Sequence, residues 1–259
     1  IRVRSCARVV VVGDLHLISS GAMSLMSAVA DIINEIEADL VVFAGDIVNE
    51  AYNYAETLAQ FYPNQPFAVP GNHDVRAGVL DVYTGAFTWL PTNGVSTNRH
   101  SWYKSVGDTL RIYGINSNIS TGEGITATGD QALWLRAASV AATEPWQFAV
   151  WHHSAYSNDP VHGDSASMQW GHGPGAPLEL MTAVLSGNSH HYELLLKGAK
   201  TYIVCGSGGP TLYNFSGTTD SMAQIKENGI VIIDTNWGEC TIRFMNLDGL
   251  IRDQLTLTR

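Results

Sequence analysis

Five short apolar runs in this chain each end in a polar cluster that is rich in aspartate, asparagine and histidine. The runs cover residues 9–12, 40–44, 67–69, 148–150 and 183–185. Buried strands that end together place such clusters on one rim of a sheet, where α/β proteins bind their ligands. Carboxylate and amide oxygens mixed with imidazole nitrogens suit divalent first-row metals. The pattern therefore predicts an α/β fold with a metal site at the edge of a sheet.

The segments between the runs support this fold class. Apolar residues at helical spacing predict helices over residues 22–36, 51–61 and 130–142. Strand, helix and strand in this order are typical of a parallel sheet. Residues 102–106 and 110–115 predict a hairpin, and residues 154–177 a long loop. Further strands are expected over residues 194–196, 201–205, 230–233, 241–245 and 254–257. Two packed sheets with helices outside are the simplest interpretation.

Size and charge limit the classes of protein. A chain of 259 residues forms one large domain or two small ones, and clusters that run from residue 14 to residue 191 favour a single domain over 1–259. The net charge of −10 argues against nucleic acid or an anionic membrane as a partner, so an anionic substrate needs a local attraction such as a metal. Three cysteines argue against a disulfide framework, and no stretch is long and apolar enough to span a bilayer.

The chain starts at Ile1 rather than at methionine, so it has been processed, truncated or renumbered. A removed signal peptide would leave no trace, and the compartment stays open. The oligomeric state is equally open.

The polar clusters resemble a known set of motifs. They contain Asp14-Leu15-His16, Gly45-Asp46, Gly71-Asn72-His73-Asp74, a strand ending at His152, and Asn188-Ser189-His190. This order resembles the calcineurin-like metallophosphoesterase superfamily, whose pattern is Asp-x-His, Gly-Asp, Gly-Asn-His-Asp/Glu, a strand ending in His, and Gly-His-x-His. Trp102-Tyr103, Gln131 with Trp134-Leu135, and Gly206-Ser207-Gly208-Gly209 resemble its purple-acid-phosphatase-like branch. The resemblance covers nearly the whole chain and implies a four-layer α-β-β-α sandwich of two mixed sheets flanked by helices.

The same resemblance implies two divalent or trivalent metal ions, of iron, manganese or zinc. The first ion would lie between Asp14, His16, Asp46 and His190, and the second between Asp46, Asn72, His152 and Asn188. Two such ions leave a net positive pocket inside an acidic protein, which is the attraction that a small phosphate ester needs. A hydroxide that bridges the ions would attack the ester in line.

Catalytic roles follow from the third cluster. His73 matches the family residue that protonates the leaving oxygen or stabilises the transition state, and Asp74 is expected to orient its imidazole. The alternative for Asp74 is a turn-forming aspartate. Neighbours on a strand point to opposite faces, so only one of His152 and His153 can reach the metal, and the family pattern of His followed by a less fixed residue favours His152.

The remaining histidines have weaker interpretations. His191 is expected on the solvent side, beside the ligand His190. His162 and His172 lie in the loop that covers the active site in this family, so either could contact substrate, although ordinary loop histidines are as good an explanation.

Two positions depart from the family. Asn188 stands where the pattern has His, and an amide oxygen is a weaker ligand than imidazole, so we predict a second metal site that is weaker or partly empty and an activity that is lower. A natural variation and an introduced substitution both explain Asn188, and the intact ligands elsewhere favour the second. Asn49 replaces the tyrosine of true purple acid phosphatases, so no tyrosinate ligand and no purple colour are expected.

The leading hypothesis is a dinuclear-metal-dependent phosphoester hydrolase, either a phosphatase or a phosphodiesterase. The alternative is a non-catalytic phosphate-binding or scaffold protein with a degraded second metal site, and the presence of His73 favours the enzyme. A dinucleotide-binding oxidoreductase lacks the helix that must follow its glycines, and a serine hydrolase lacks its Gly-x-Ser-x-Gly elbow. Arg76 and Arg99 could serve a monoester, whereas Trp170 and Tyr156 could flank a diester.

Overall fold

Two mixed β-sheets form the framework of the computed structural model, which describes residues 6–16, 20–49, 54–76 and 80–259. The strands are β1 (Cys6–Val12), β2 (Leu40–Phe43), β3 (Phe67–Ala68), β4 (Trp102–Val106), β5 (Leu110–Gly114), β6 (Trp146–Trp151), β7 (Ala183–Ser186), β8 (Tyr192–Lys197), β9 (Lys200–Cys205), β10 (Ser221–Ile225), β11 (Gly229–Asn236), β12 (Glu239–Asn246) and β13 (Ile251–Thr258). The helices are α1 (Ser20–Glu35), α2 (Tyr54–Gln60), α3 (Leu80–Ala86) and α4 (Asp130–Val140).

The first sheet has the strand order β13-β12-β11-β1-β2-β3. Its strands β1, β2 and β3 are parallel, while β11 pairs with β1 in the antiparallel direction. All four residues of β2 and residues 9–12 of β1 are buried, as expected for parallel strands that are covered on both faces. Because the carboxyl ends of the three parallel strands meet at one edge, the first three polar clusters lie side by side.

The second sheet has the order β10-β8-β9-β7-β6-β5-β4. Strands β5, β6, β7 and β9 are parallel, whereas β4, β8 and β10 pair in the antiparallel direction. The last two polar clusters follow β6 and β7, which are hydrogen-bonded neighbours. They therefore reach the same edge of this sheet.

Aromatic and hydroxyl side chains join the two sheets. Tyr192 of β8 stacks on Phe244 of β12 with ring centroids 4.4 Å apart, and the hydroxyl groups of Thr109 and Thr235 are 2.9 Å apart. Trp102 of β4 donates to the carbonyl of Ala68 in β3 at 2.7 Å. The sheets thus pack against each other.

Helices cover the outer faces. Met26, Val29 and Ile33 of α1 are spaced as one helical face and belong to the same hydrophobic core as the strands of both sheets. Leu135 of α4 packs into a second core, together with Trp151 of β6 and residues of the loop between β6 and β7. The predicted α-β-β-α sandwich is therefore confirmed.

The element boundaries differ from the sequence prediction mainly at strand ends: β1, β6 to β9 and β11 to β13 extend further, whereas β2, β3 and β5 are each one residue shorter. Two elements were not predicted: α3 is only seven residues long, and β10 is an edge strand without a buried residue. Residues 51–53 of the predicted second helix lie outside the described residues, and the described helix begins at Tyr54. The long loop is confirmed, with one 3₁₀ turn at Ala166–Met168.

All three cysteines are free thiols. None of the helices in the described ranges is long and apolar enough to cross a membrane.

Candidate metal centre

Metal-binding side chains from both sheets converge at the edge where the parallel strands end. Three overlapping groups have ligand atoms within 4.8 Å of one another. The groups are Asp14, His16 and His190; His16, Asp46 and His73; and Asp14, Asp46 and His152. Chain segments 174 residues apart thus meet at one point, since Nε2 of His16 lies 3.2 Å from Nε2 of His190.

The backbone at this edge is strained. Asp14, His16, Asp46 and Asn188 all have positive φ, between 45° and 66°. The left-handed region costs a non-glycine residue roughly 1–2 kcal/mol. Hydrogen bonds hold this geometry, because Asp14 N donates to Gly45 O at 3.0 Å and His16 N donates to Asp46 O at 3.1 Å. Strain of this kind concentrates at functional sites.

Gly71 permits the close approach of two polar clusters. A Cβ atom at this position would overlap the Asp46 carboxylate. Its own N–H donates to Asp74 Oδ2 at 2.8 Å. The Gly-Asn-His-Asp sequence can therefore fold against the Gly-Asp turn only with glycine at its first position.

Asp14 presents an oxygen without a hydrogen-bond donor. Its Oδ2 accepts the N–H of Asn188 at 2.8 Å, but its fully buried Oδ1 has no hydrogen-bond partner. That oxygen lies 3.6 Å from Nε2 of His16 and 3.4 Å from Nε2 of His190. An unsatisfied buried carboxylate oxygen is costly, and two imidazole nitrogens beside it complete a donor set that suits a metal cation.

Asp46 occupies the centre of the cluster. Its Oδ2 lies 3.5 Å from Nε2 of His16 and 3.4 Å from Nε2 of His152, while its Oδ1 accepts the N–H of His73 at 2.8 Å. Nε2 of His152 also lies 3.0 Å from Oδ1 of Asn72. The carboxylate of Asp46 therefore faces histidines from both halves of the predicted ligand set.

Backbone carbonyls orient two of the histidines. Nδ1 of His152 lies 2.9 Å from the carbonyl oxygen of Ala44, and Nδ1 of His190 lies 2.9 Å from that of Thr211. A carbonyl oxygen only accepts, so Nδ1 carries the hydrogen in each ring. Nε2 is then the nitrogen directed at the carboxylates, as in metal-binding histidines held by a partner on the other nitrogen.

The two carboxylates carry negative charge at neutral pH. Burial opposes ionisation of Asp14, but His16 and His190 outweigh it and hold the pKa of Asp14 well below its usual range. Burial likewise opposes ionisation of Asp46, and His152 is the main group that lowers its pKa. The centre therefore offers anionic oxygens to a cation.

His73 stands at the rim, partly exposed to the cavity. Its Nδ1 lies 2.6 Å from Oδ1 of Asn49, and its Nε2 lies 3.8 Å from Oδ2 of Asp46 and 3.4 Å from Nη2 of Arg76. Burial is the main cause that lowers the pKa of His73. The sequence interpretation did not assign Asn49 to this contact.

The expectation that Asp74 orients His73 is wrong. Asp74 is fully buried, and its carboxylate accepts hydrogen bonds from the hydroxyl group of Tyr54 at 2.7 Å and from the N–H of Gly71. Burial and the charge of Asp46 raise the pKa of Asp74. Neighbouring side chains in this turn point in different directions, so Asp74 shapes the turn while Asn49 contacts the imidazole.

A cavity of about 200 Å³ opens above these side chains. It is lined by His16, Asp46, Asn72, His73, Asn188 and His190, and by Asn49, His162, Thr211 and Tyr213. The ring of Tyr213 stacks on that of His190, with centroids 4.3 Å apart and planes 11° apart. Of the predicted site residues, Asp14, Asp74 and His152 are fully buried and do not line this cavity.

His162 is the loop histidine that reaches the cavity. Its Nδ1 lies 3.0 Å from Oδ2 of Asp159, whose carboxylate also accepts the backbone N–H groups of Val161 and His162. The sequence interpretation missed Asp159 and Tyr213. Two weak sequence signals point to these residues. Asp159 lies three residues before the loop histidine His162, and Tyr213 lies shortly after the Gly206–Gly209 segment.

Other candidates lie elsewhere. His153 bonds Ser117 through Nδ1 at 2.9 Å, which agrees with its expected role as a neighbouring polar residue. The expectation that His191 lies on the solvent side is wrong, because this residue is fully buried. Its Nε2 lies 3.5 Å from Oε2 of Glu193. His172 approaches Gly198, away from the cavity.

Of the four residues suggested for substrate contacts, one lies beside the metal centre and three lie elsewhere. Arg76 contacts His73, whereas Nε of Arg99 donates to the carbonyl of Leu90. Trp170 is buried in the second core, and Tyr156 packs edge-on against Tyr202 at 4.8 Å. Only Arg76 among them borders the centre.

The sequence profile of a family described as calcineurin-like phosphoesterase matches residues 7–192, which contain every cluster of the centre. The chain belongs to this family. Membership in the calcineurin-like phosphoesterases indicates a phosphoester hydrolase, and the clusters of aspartate and histidine suit the divalent metals that such enzymes use. No curated protein matches the sequence significantly.

Solved structures share the calcineurin-like fold at low identity. A purple acid phosphatase from yellow lupin seeds superposes with a TM-score of 0.79 and 17% identity over 98% of this chain. The chain spans about half of that protein, 54% of its length. A dimetal phosphatase from Danio rerio gives 0.67 and 11%, covering 97% of this chain and 98% of its own. GAP50, the anchor in the inner membrane complex of Plasmodium, gives 0.67 and 15%, covering 98% and 89%.

Proposed function

We propose that this chain is a single metallophosphoesterase domain over 1–259 and a dinuclear-metal-dependent phosphoester hydrolase. The observation that carries the proposal is the convergence of two buried carboxylates and three inward-facing histidines beneath one cavity, with His73 at its rim. A structural cluster would pair every polar atom. Oδ1 of Asp14 instead lacks a hydrogen-bond partner at the centre of the group.

The donor set fits two metal ions. Asp14, His16, Asp46 and His190 would hold the first, and Asp46, Asn72, His152 and Asn188 the second. When bound, such ions supply a nucleophilic hydroxide at neutral pH and stabilise negative charge on the phosphoryl oxygens. Asp46 contacts histidines of both sets, which makes it the residue best placed to be shared.

His73 would donate a proton to the leaving oxygen. Its Nδ1 hydrogen is held by Asn49, so Nε2 is the nitrogen directed toward the cavity. Burial lowers the pKa of His73, which makes the proton on Nε2 easier to transfer. Arg76, 3.4 Å from this nitrogen, would bind an oxygen of the phosphoryl group.

A monoester is the favoured substrate. A terminal phosphate carries more negative charge than a diester and needs more hydrogen-bond donors, which Arg76 and His162 would supply. Trp170 and Tyr156, which could have flanked a diester, both lie outside the described lining of the cavity. Tyr213 is engaged in stacking on His190.

Asn188 would lower the affinity of the second site for its metal ion. Its backbone N–H donates to Oδ2 of Asp14 at 2.8 Å, so Asn188 lies beside that carboxylate, and its side chain offers an amide oxygen in place of an imidazole nitrogen. Imidazole binds first-row metals more strongly than an amide oxygen does. We therefore expect one metal position of high affinity beside one of lower affinity.

The test is hydrolysis of an aryl phosphate monoester and an aryl phosphate diester by metal-stripped protein to which manganese, iron or zinc is restored. Activity that depends on added metal and is lost in Asp46→Asn supports the proposal. Binding of metal and phosphate without turnover, by both the wild type and Asn188→His, would instead support the non-catalytic alternative.

A further inference from the structure

A second cavity adjoins the metal centre and has a different lining. Its volume is about 530 Å³, and Asn72 lines both cavities. Arg76, which lines the second cavity, contacts His73 of the first at 3.4 Å. The two cavities therefore adjoin each other beside the residue that would protonate the leaving oxygen. We call the second cavity the serine groove, after Ser117, Ser120, Ser165 and Ser167 in its lining.

The volumes of the two cavities suggest that each binds a different part of the substrate. Small-molecule sites measure roughly 300–1,000 Å³. The metal-centre cavity, at about 200 Å³, is too small for a whole organic ester but suits a phosphoryl group. The serine groove, at about 530 Å³, falls within the range for an organic ligand.

One tryptophan ties the two walls of the serine groove together. Nε1 of buried Trp170 lies 2.9 Å from the carbonyl oxygen of Ile125 on one wall and 2.9 Å from that of Ser167 on the other. Met168 N donates to Ser165 O at 3.0 Å and closes the 3₁₀ turn that carries both serines. These hydrogen bonds fix the two walls of the groove relative to each other.

The lining combines hydroxyl groups and aliphatic carbon with two asparagine amides, the imidazole of His153 and one arginine. Oγ of Ser165 and Oγ of Ser167 lie 3.2 Å apart, and Ile119 and Val75 supply apolar surface. Among the described residues that line it, none is acidic and none is Phe, Tyr or Trp, although the protein as a whole carries a net charge of −10. Such a surface suits hydroxylated aliphatic carbon. The one ring in the described lining is the small imidazole of His153, whose Nδ1 lies 2.9 Å from Oγ of Ser117.

We propose that the serine groove binds the leaving group of a phosphate monoester, and that this leaving group is a hydroxylated aliphatic alcohol such as a polyol or a sugar. The inference rests on the proposed hydrolase function, because the phosphoryl group must occupy the neighbouring cavity. Hydrolysis forms a bond from a water oxygen to phosphorus and breaks the ester P–O bond. The departing alkoxide takes a proton from Nε2 of His73 and leaves as the alcohol in the groove. The proton that the attacking water loses passes to solvent, from which His73 is protonated again.

Two primary alkyl esters test this assignment. Ethyl phosphate and a hexitol 6-phosphate have the same bond to break and differ in the hydroxylated body. With manganese-loaded protein, we expect kcat/KM for the hexitol ester to exceed that for ethyl phosphate by about tenfold, as one or two net hydrogen bonds would give. Ser165→Leu, which fills the groove, should reduce this ratio to near one through a higher KM for the hexitol ester.

Two further variants make the result specific. Ser167→Ala removes a hydroxyl group with little change in volume and should reduce the ratio by a smaller factor, which covers the case in which Ser165→Leu does not fold. Thr256→Leu changes an exposed hydroxyl residue on the edge strand β13 and should leave the ratio as it is.

The outcomes separate this inference from the proposed function. A wild-type ratio near one, or a ratio that neither groove variant lowers, overturns the serine-groove assignment and leaves the hydrolase intact. Cleavage of an aryl diester with neither monoester cleaved also overturns it while a phosphoesterase remains. Cleavage of no ester with any of manganese, iron or zinc overturns the proposed function and this inference together.

Discussion

The amide oxygen of Asn49 lies 2.6 Å from Nδ1 of His73 and so determines which nitrogen of that imidazole faces the cavity. An amide oxygen accepts a hydrogen bond and cannot donate one, so it holds the hydrogen of the ring on Nδ1. Nε2 is then turned toward Asp46 and Arg76. The contact joins two residues that are 24 positions apart in the chain.

Removing this contact should slow the chemical step more than it weakens binding. Asn49→Ala is expected to lower kcat about tenfold with little change in KM, a part of the 10²–10⁴-fold that a general acid contributes. Asn49→Asp should restore kcat, because a carboxylate accepts the same hydrogen. Asn64→Ala, which removes an exposed amide bonded to Asn34, is the matched control. Steady-state kinetics that show an unchanged kcat for Asn49→Ala would remove Asn49 from the mechanism.

The second prediction concerns His162, whose ring is held over the cavity by the buried carboxylate of Asp159. Asp159→Ala frees this ring and the loop N–H groups that the carboxylate accepts, so KM for an aryl phosphate should rise about three- to tenfold, by the loss of one charge-assisted hydrogen bond. Asp164→Ala, in the same loop, is the control. If His162→Ala and Asp159→Ala both leave KM unchanged, the histidine does not contact the phosphate.

The third prediction concerns stability at acid pH. Burial opposes ionisation of Glu193, but hydrogen bonds from His191, Gln224 and Ser221 outweigh it and lower the pKa of Glu193 to about 2. Because the folded pKa lies below the unfolded value, this group stabilises the fold above about pH 4.5, and the contribution disappears as pH falls toward 2.

Urea unfolding measures that contribution. Between pH 6 and pH 3 the wild type should lose about 2 kcal/mol from this group, whereas Glu193→Gln should not show this part of the loss. The variant is also expected to be less stable at pH 6, since the buried carboxylate accepts several hydrogen bonds. Equal slopes for the two proteins would show that Glu193 does not carry the acid sensitivity.

The fourth prediction concerns the metal content. Asn188→His should raise the bound metal from about one to about two ions per chain, because imidazole binds first-row metals more tightly than an amide oxygen. The backbone permits the change, as His16 already adopts a similar positive φ. Elemental analysis after dialysis measures the content, and Asn64→His on the surface controls for adventitious binding. An unchanged content would place Asn188 outside the ligand set.

The sequence predicted the parts of this fold that have a strong local signal. Buried parallel strands such as β1 and β2 are continuous apolar runs, and their order with α1 indicates the sheet. The strand β10 carries no buried residue, and α3 buries only Tyr83, so neither differs from a loop in its pattern. The local pattern of apolar residues indicates burial. The strand β10 is defined instead by pairing with β8, and the short helix α3 buries too little to show a helical period.

The site shows the same division. Metal-binding residue types at strand ends can be read from the sequence, because parallel strands bring their ends together. The partner of an individual side chain cannot, since it depends on rotamers and on which loops meet. Asp74 was expected beside His73 because it is adjacent in the chain, but Asn49 occupies that place. His191 was expected in solvent, but Glu193 and Phe215 enclose it.

The central claim is metal-dependent hydrolysis by this cluster, and the most direct measurement is release of phosphate or aryl alcohol by Asn188→His. The protein is stripped of metal, reloaded with manganese, iron or zinc, and assayed with an aryl monoester and an aryl diester. We predict turnover that requires metal, exceeds that of the wild type, and is lost when Asp46→Asn is added. Hydrolysis of neither ester by Asn188→His with any of these metals would contradict the claim.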